Sequence, residues 1–186
     1  MKHYYITGYR QIEVADEPSP NPAPGQVGVK IAYTALSPGS NVSGYLNQKR
    51  QQRGELLYMA SGVVQEVGDG VRSVAPGDAV AVLNCGHQAY ACVAEDAVHR
   101  VPSPLTLREA SVSYLCSWSV SALHLGQYAA AETVVVVGQG LVGASAALVA
   151  NLMGARVLAL DSATERVAFA QSLGLGAVVQ VGTANA

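Results

Sequence analysis

The stretch that decides the fold is VVVVGQGLVG, residues 134–143. With Thr133 ahead of it, the valine run is short, continuous and β-branched, the composition of a buried strand. It runs directly into Gly138, Gly140 and Gly143. Residues 141–154, LVGASAALVANLMG, are rich in helix formers and end on Gly154. A second strand, RVLALD (156–161), a second helix, ATERVAFAQSLG (163–174), and a third short strand, AVVQV (177–181), follow. Strand–helix–strand–helix–strand is half of a doubly wound parallel sheet.

A G-x-G-x-x-G turn alone is a weak signal. Here it follows a strand and opens a helix, whose N-terminal amides can bind a pyrophosphate. Asp161 closes the next strand 161 − 138 = 23 residues after the first glycine. A carboxylate there can accept hydrogen bonds from the ribose hydroxyls and repels the extra phosphate of NADP. The expected ligand is NAD(H), held by Gly138, Gly140, Leu141, Val142, Gly143 and Asp161.

Upstream the pattern changes. QVGVKIAYTAL (26–36), ASGVVQEVG (60–68), DAVAVL (78–83) and AYACVAEDAVHRV (89–101) read as strands, separated by the turns PSPNPAPG, GDG and APGD. This is an all-β pattern, expected to form a small barrel with most edges closed. Residues 107–128, LREASVSYLCSWSVSALHLGQY, have helical spacing. The expected boundary places a β domain at 1–126 and a partial dinucleotide domain at 127–186. The only charge run, NQKRQQR (47–53), reads as a solvated loop or helix face.

The totals agree with an ordinary folded chain. Of 186 residues, 50% are hydrophobic and the formal charge is −2. That balance excludes an electrostatic case for nucleic acid and argues against extensive disorder. No apolar run approaches the ~18 residues of a membrane span, and the N-terminus has no apolar core of signal-peptide length. Cys85, Cys92 and Cys116 form neither an even set nor a CxxC pair, which argues against a disulfide framework or zinc ribbon. The expectation is a cytoplasmic protein with no membrane partner.

A β domain followed by this glycine turn resembles the medium-chain dehydrogenase/reductase superfamily, which includes zinc-type alcohol dehydrogenases and quinone reductases. ASGVVQEVGDGVRSVAPGDAV (60–80) is similar to a strand–turn–strand of its GroES-like domain, and residues 134–161 to its cofactor domain. The resemblance covers essentially the whole chain. It implies a GroES-like β-barrel followed by the first half of a Rossmann domain. The implied activity is a dehydrogenase or reductase moving a hydride between a nicotinamide and an alcohol, carbonyl or enone.

The zinc site of that family is where the sequence departs. Pro38 stands at the position of the first cysteine ligand, Tyr58 at that of the histidine and Met59 at that of the glutamate. Only Cys116, in YLCSW, matches the third ligand. A catalytic zinc needs three protein ligands, so no zinc is expected. Cys85-Gly86-His87 is read as structural. LSPGS (36–40), the tyrosine at position 58, GHQAYACVAEDAVHRVP (86–102) and VVGQGLVG (136–143) resemble a zinc-less branch similar to bacteriochlorophyllide hydroxyethyl dehydrogenases.

Without a Lewis acid, hydrogen-bond donors must stabilise the oxyanion and deliver a proton. Ser40 matches the family's Ser/Thr of the proton relay and reads equally as a turn residue. Tyr58 is the second candidate, and reads equally as a space-filler for the lost metal. Ser37, Cys116 and Trp118 are candidates for the substrate pocket. Cys116 has the alternative of a small buried residue, and Trp118 and Tyr114 that of core aromatics.

Three strands amount to one mononucleotide-binding half. Two readings follow. One is an oxidoreductase completed by further chain, a partner chain or a homo-oligomer. The other is a non-catalytic remnant or binding module. The third strand is expected to lie near an unprotected sheet region.

Overall fold

Alternation of apolar and polar side chains builds the first half of the chain. The structure is a computed structural model that describes residues 1–37, 39–49 and 52–182. Two strands that the sequence reading did not place open it: β1 (Lys2–Gly8) and β2 (Gln11–Asp16), paired antiparallel. In β1 the alternation buries His3, Tyr5 and Ile6. The Tyr5 hydroxyl donates to Glu17, and the Arg53 guanidinium stacks 3.5 Å from the centre of the Tyr5 ring.

Next come β3 (Gln26–Thr34), a short helix α1 (Ser40–Tyr45), β4 (Gly54–Glu55), β5 (Tyr58–Val67), β6 (Ala79–Cys85), β7 (Tyr90–Ala94) and β8 (Val98–Arg100). They form a five-stranded sheet, order β7-β3-β5-β6-β8, and a three-stranded sheet, order β2-β1-β4. An antiparallel bridge between His3 and Gln88 joins β1 to the segment before β7. Val27, Val29, Val64, Val80, Val82 and Val98 fill the core of this unit. Every one is β-branched, the residue type that packs best on a pleated surface.

The helical segment 107–128 divides into α2 (Leu107–Ala110) and α3 (Tyr114–Leu125), with turn residues 111–113 between them. A capping box starts α2: Thr106 and Glu109 satisfy each other's backbone N–H groups. The buried Ser61 hydroxyl donates to the Leu107 carbonyl and ties α2 to β5. The two compact units are therefore Met1–Ser113 and Tyr114–Ala186, a boundary upstream of the expected 126/127. The reason is packing: α3 lies against the next helix, α4 (Leu141–Leu152).

In the second unit, β9 (Thr133–Val137), α4 (Leu141–Leu152), β10 (Arg156–Asp161), α5 (Thr164–Ser172) and β11 (Ala177–Gln180) alternate as the sequence predicts. All pairings are parallel, in the order β11-β10-β9. Ala147, Ala150, Ala159 and Ala170 are fully buried where helices cross the sheet; small side chains allow that close approach. The third strand, β11, is an edge as expected, but so is β9 among the described strands. In this order the first strand has a neighbour on one side only. Val135 and Val137 of β9 are 53% and 76% exposed.

Candidate functional site

The glycine turn is held by its own geometry. Gly138 has φ +88°, a conformation costly for any residue with a Cβ. A Cβ on Gly143 would lie 1.8 Å from the Gly138 carbonyl oxygen, so the first turn of α4 closes on the strand end only with glycine there. Gly140, by contrast, faces open space, with nothing within 4 Å of a built Cβ. It is the N-cap of α4 and offers no side-chain cap. The first intrahelical bond runs from Ala144 N–H to Gly140 O. The amides of Leu141, Val142 and Gly143 thus precede the helix's own bonding, beside the room that Gly140 leaves.

Asp161 closes on this turn. Its Oδ2 accepts the Gln139 N–H at 2.5 Å and its Oδ1 accepts the Ala163 N–H at 2.9 Å. The side chain is buried, and Arg166 approaches at 3.8 Å. The Ala163 and Gln139 amides hold its carboxyl below the usual range, so it is ionised at neutral pH. Gln139 is fully buried, donates through Nε2 to Val136 O at 3.0 Å, and has no partner for Oε1 among the described residues.

These features fit a dinucleotide: a passage where backbone can meet a phosphate, uncapped helix amides, and a carboxylate at the next strand end. Gly138, Gly140, Leu141, Val142, Gly143 and Asp161 would hold it. All six sequence-predicted cofactor residues lie in this one place.

The candidate chemistry lies on other elements. Ser40 begins α1. Its N–H donates to Ser37 Oγ at 3.1 Å, and the Ser37 N–H donates to Asn41 Oδ1 at 2.6 Å. Ser37 and Ser40 are thus brought together, with Ser40 exposed. Pro38, between them, lies outside the described residues, as do Arg50 and Gln51 of the charge run. Tyr58 opens β5 and is half-buried, paired in register with Cys85. Cys116 and Trp118 sit on α3 in the second unit. Cys116 is exposed, which corrects the alternative of a small buried residue: its helix position faces outward while Leu115 and Ser119 face inward. Trp118 is also exposed and packs edge-on against Tyr114 at 5.5 Å.

Among the described residues no three His, Cys, Asp or Glu side chains converge. Burial pushes the Cys85 thiol up to about 11, so it stays protonated, and it donates to the Gly86 carbonyl. His87 turns instead to Thr34, with Nδ1 2.7 Å from its hydroxyl. Sequence reasoning passed over His87 as a site residue. No local pattern marks it, because its neighbours come from β1, β2 and β3.

No family model matches the chain. YfmJ of Bacillus subtilis strain 168, whose name describes an NADP-dependent oxidoreductase, is 27% identical over 162 residues, covering 81% of this chain and 46% of that protein. Galactitol 1-phosphate 5-dehydrogenase of Escherichia coli K12 is 26% identical over 179 residues, covering 80% of this chain and 52% of that protein. The solved structure of the Escherichia coli galactitol-1-phosphate dehydrogenase matches with a TM-score of 0.86 at 24% identity, covering 96% of this chain and 60% of that one. An alcohol dehydrogenase superfamily protein of Novosphingobium aromaticivorans matches with a TM-score of 0.85 at 27% identity, covering 97% and 58%. The chain spans about half the length of the curated relatives it matches. Its homologues and structural neighbours are members of the medium-chain dehydrogenase/reductase superfamily, and its fold is that of their GroES-like domain and the first half of their Rossmann domain.

Proposed function

We propose that this chain is part of an NAD(H)-linked oxidoreductase that interconverts a small alcohol and its carbonyl, or reduces an enone, without zinc. The observation that carries the reading is the ionised Asp161 carboxylate at the mouth of the glycine turn. It can accept from both ribose hydroxyls and repels a 2′-phosphate. A relative named as NADP-dependent makes the choice between the two cofactors the point to test.

When bound, the nicotinamide supplies or takes the hydride. The chain's own residues do the rest. The amides of Leu141, Val142 and Gly143 hold the pyrophosphate, and Asp161 holds the ribose. Ser40 and Tyr58 stabilise charge on the substrate oxygen and carry its proton, and Ser37, Cys116 and Trp118 are each proposed as substrate-facing residues of their own unit. A further chain segment or partner chain pairs with the free edge of β9 and covers Val135 and Val137. A homo-oligomer and a cytoplasmic location complete the reading. No described helix is long and apolar enough to cross a membrane.

Fluorescence titration with NADH and, separately, NADPH tests the cofactor. Saturable binding at least tenfold tighter for NADH is expected. Equal or tighter binding of NADPH refutes the role given to Asp161, and no binding of either by folded chain refutes the dinucleotide reading.

A further inference from the structure

The three-stranded sheet of the first unit holds a histidine between two carboxylates. His3 of β1 is 4% exposed. Its Nδ1 lies 2.7 Å from the Tyr5 hydroxyl oxygen and 3.2 Å from Glu17 Oε2. Its Nε2 faces Glu55 Oε1 of β4 at 3.8 Å, too far for a hydrogen bond, and has no partner among the described residues. Buried ring nitrogens are ordinarily paired, so this orphan needs a reason.

The far side of the ring supplies it. The Tyr5 phenol has one hydrogen, and both carboxylate oxygens of Glu17 accept from it at 3.0 Å. Burial and the bond to Glu17 push the phenol's pKa up, so it keeps that hydrogen. Burial pushes the Glu17 carboxyl up, but the hydrogen bonds from Tyr5 and His3 outweigh it and hold the group below its ordinary value, so it is ionised. With the phenol hydrogen given to Glu17, Nδ1 meets only acceptors and must be the donor. A neutral imidazole has one N–H, so Nε2 is bare. A lone pair and a carboxylate oxygen therefore face each other across 3.8 Å. One added proton turns that pair of acceptors into a charge-assisted hydrogen bond.

The neighbouring groups are all engaged elsewhere. The Arg53 guanidinium lies over the Tyr5 ring and donates to Glu13 and Glu17 at 3.0 and 3.3 Å. The Met1 amine donates to the Glu17 backbone carbonyl. Gln88 Nε2 points to the Cys85 thiol, which burial pushes up to about 11 and keeps protonated. Gly86 borders the gap: a Cβ there would lie 3.2 Å from His3 Nε2 and 3.3 Å from Glu55 Oε2. β4 itself is two residues long and pairs with β1 at Tyr5–Glu55 and Ile6–Gly54, so one side-chain tie is a large share of what holds it.

We propose that His3 and Glu55 form a proton-gated clamp: when the ring takes a second proton from solvent, Nε2–H donates to the Glu55 carboxylate and fastens β4 to β1. The clamp works in the mildly acidic range where histidine charges while glutamate, at ~4.3, is still ionised. It fixes the chain 58 − 55 = 3 residues ahead of Tyr58. It stands on this geometry alone and is independent of the oxidoreductase reading.

His87 titrates in the same range, so the test reads β4 locally. Hydrogen exchange of the Gly54 and Glu55 amides, corrected for the intrinsic pH dependence of exchange, is measured on the full chain at pH ~7.5 and ~5.5. The ¹⁵N shifts of the His3 ring report its protonation in the same samples. At the higher pH the ring is expected as the Nδ1–H tautomer with Nε2 bare. At the lower pH both nitrogens should carry hydrogen and β4 protection should be at least roughly tenfold higher. Two substitutions of the Glu55 side chain, 42% exposed, leave the ring in place. Glu55→Gln can supply the hydrogen from its own amide, so protection should no longer depend on pH. Glu55→Ala removes the acceptor, so protection should stay at the low level at both values. A ring that stays neutral at the lower pH, a neutral ring with hydrogen on Nε2, or a rise in protection that survives in Glu55→Ala would each overturn the proposal.

Discussion

The backbone amide of Gln139 donates to Asp161 Oδ2 at 2.5 Å, so the end of the second strand in the α/β unit holds the glycine turn that follows the first. One carboxylate thus fixes the turn's conformation, and the proposed reading gives it a second duty, that of meeting the ribose.

Asp161→Asn separates these duties. The amide oxygen can keep one of the two backbone contacts, while the charge that repels a 2′-phosphate is gone. The NADH-over-NADPH preference is expected to fall at least tenfold, measured by fluorescence titration. A preference that survives intact would place discrimination elsewhere.

The same carboxylate gives an acid signature. Its folded-state pKa is depressed by the Ala163 and Gln139 amides. Its stabilisation is therefore complete above the ordinary carboxylate pKa of ~4 and is lost as pH falls through the lower folded value. Denaturant unfolding followed at α5, near Phe169, should show that loss in the wild type and a flatter acid profile in Asp161→Asn.

Glycines 140 and 143 should behave oppositely. Gly143→Ala drives a Cβ into the Gly138 carbonyl and is expected to cost about 3 kcal/mol, the upper end for overpacking. Gly140→Ala meets nothing and has φ −70°, so thermal stability should hold within about 1 °C. NADH affinity should nevertheless fall at least tenfold, about 1.4 kcal/mol, because the methyl fills the ligand's space. Undiminished affinity in Gly140→Ala would show that no phosphate approaches there.

His87 gives a different pH window. Its folded pKa is lowered by burial, so the unfolded chain binds the proton more readily. Stability of the first unit should be full above pH ~6.5 and fall as pH drops from there toward the folded value. Urea midpoints at pH 7.5 and 5.5 should differ more in wild type than in His87→Gln. Equal differences would mean that the ring is solvated.

Ser61→Ala removes the hydroxyl that holds the Leu107 carbonyl against β5. Loss of about 1–2 kcal/mol is expected in the first unit. Unchanged NADH binding, read from the same titration, would confirm that the effect is confined there.

The α/β half was legible because its signals are local. Five β-branched or valine positions, three glycines and one aspartate at fixed spacing specify strand, turn and helix without reference to distant chain. The strands of the β half were mostly legible by alternation, but β1 and β2 were not. Their sequence, KHYYITG and QIEVAD, mixes polar and aromatic residues, and becomes a sheet only because each strand supplies the other's backbone partners.

What the sequence determined by itself is the order of elements in the second unit and the glycine turn that Asp161 closes, since these depend on neighbours along the chain. Tertiary structure decided the rest. It moved the boundary to Ser113 by packing α3 on α4, turned Cys116 outward, and made β9 an edge. It also brought His87 to Thr34 across 53 residues, leaving one ring nitrogen without a partner. Contacts between residues so far apart depend on sheet register, and register is settled by the burial of whole faces at once.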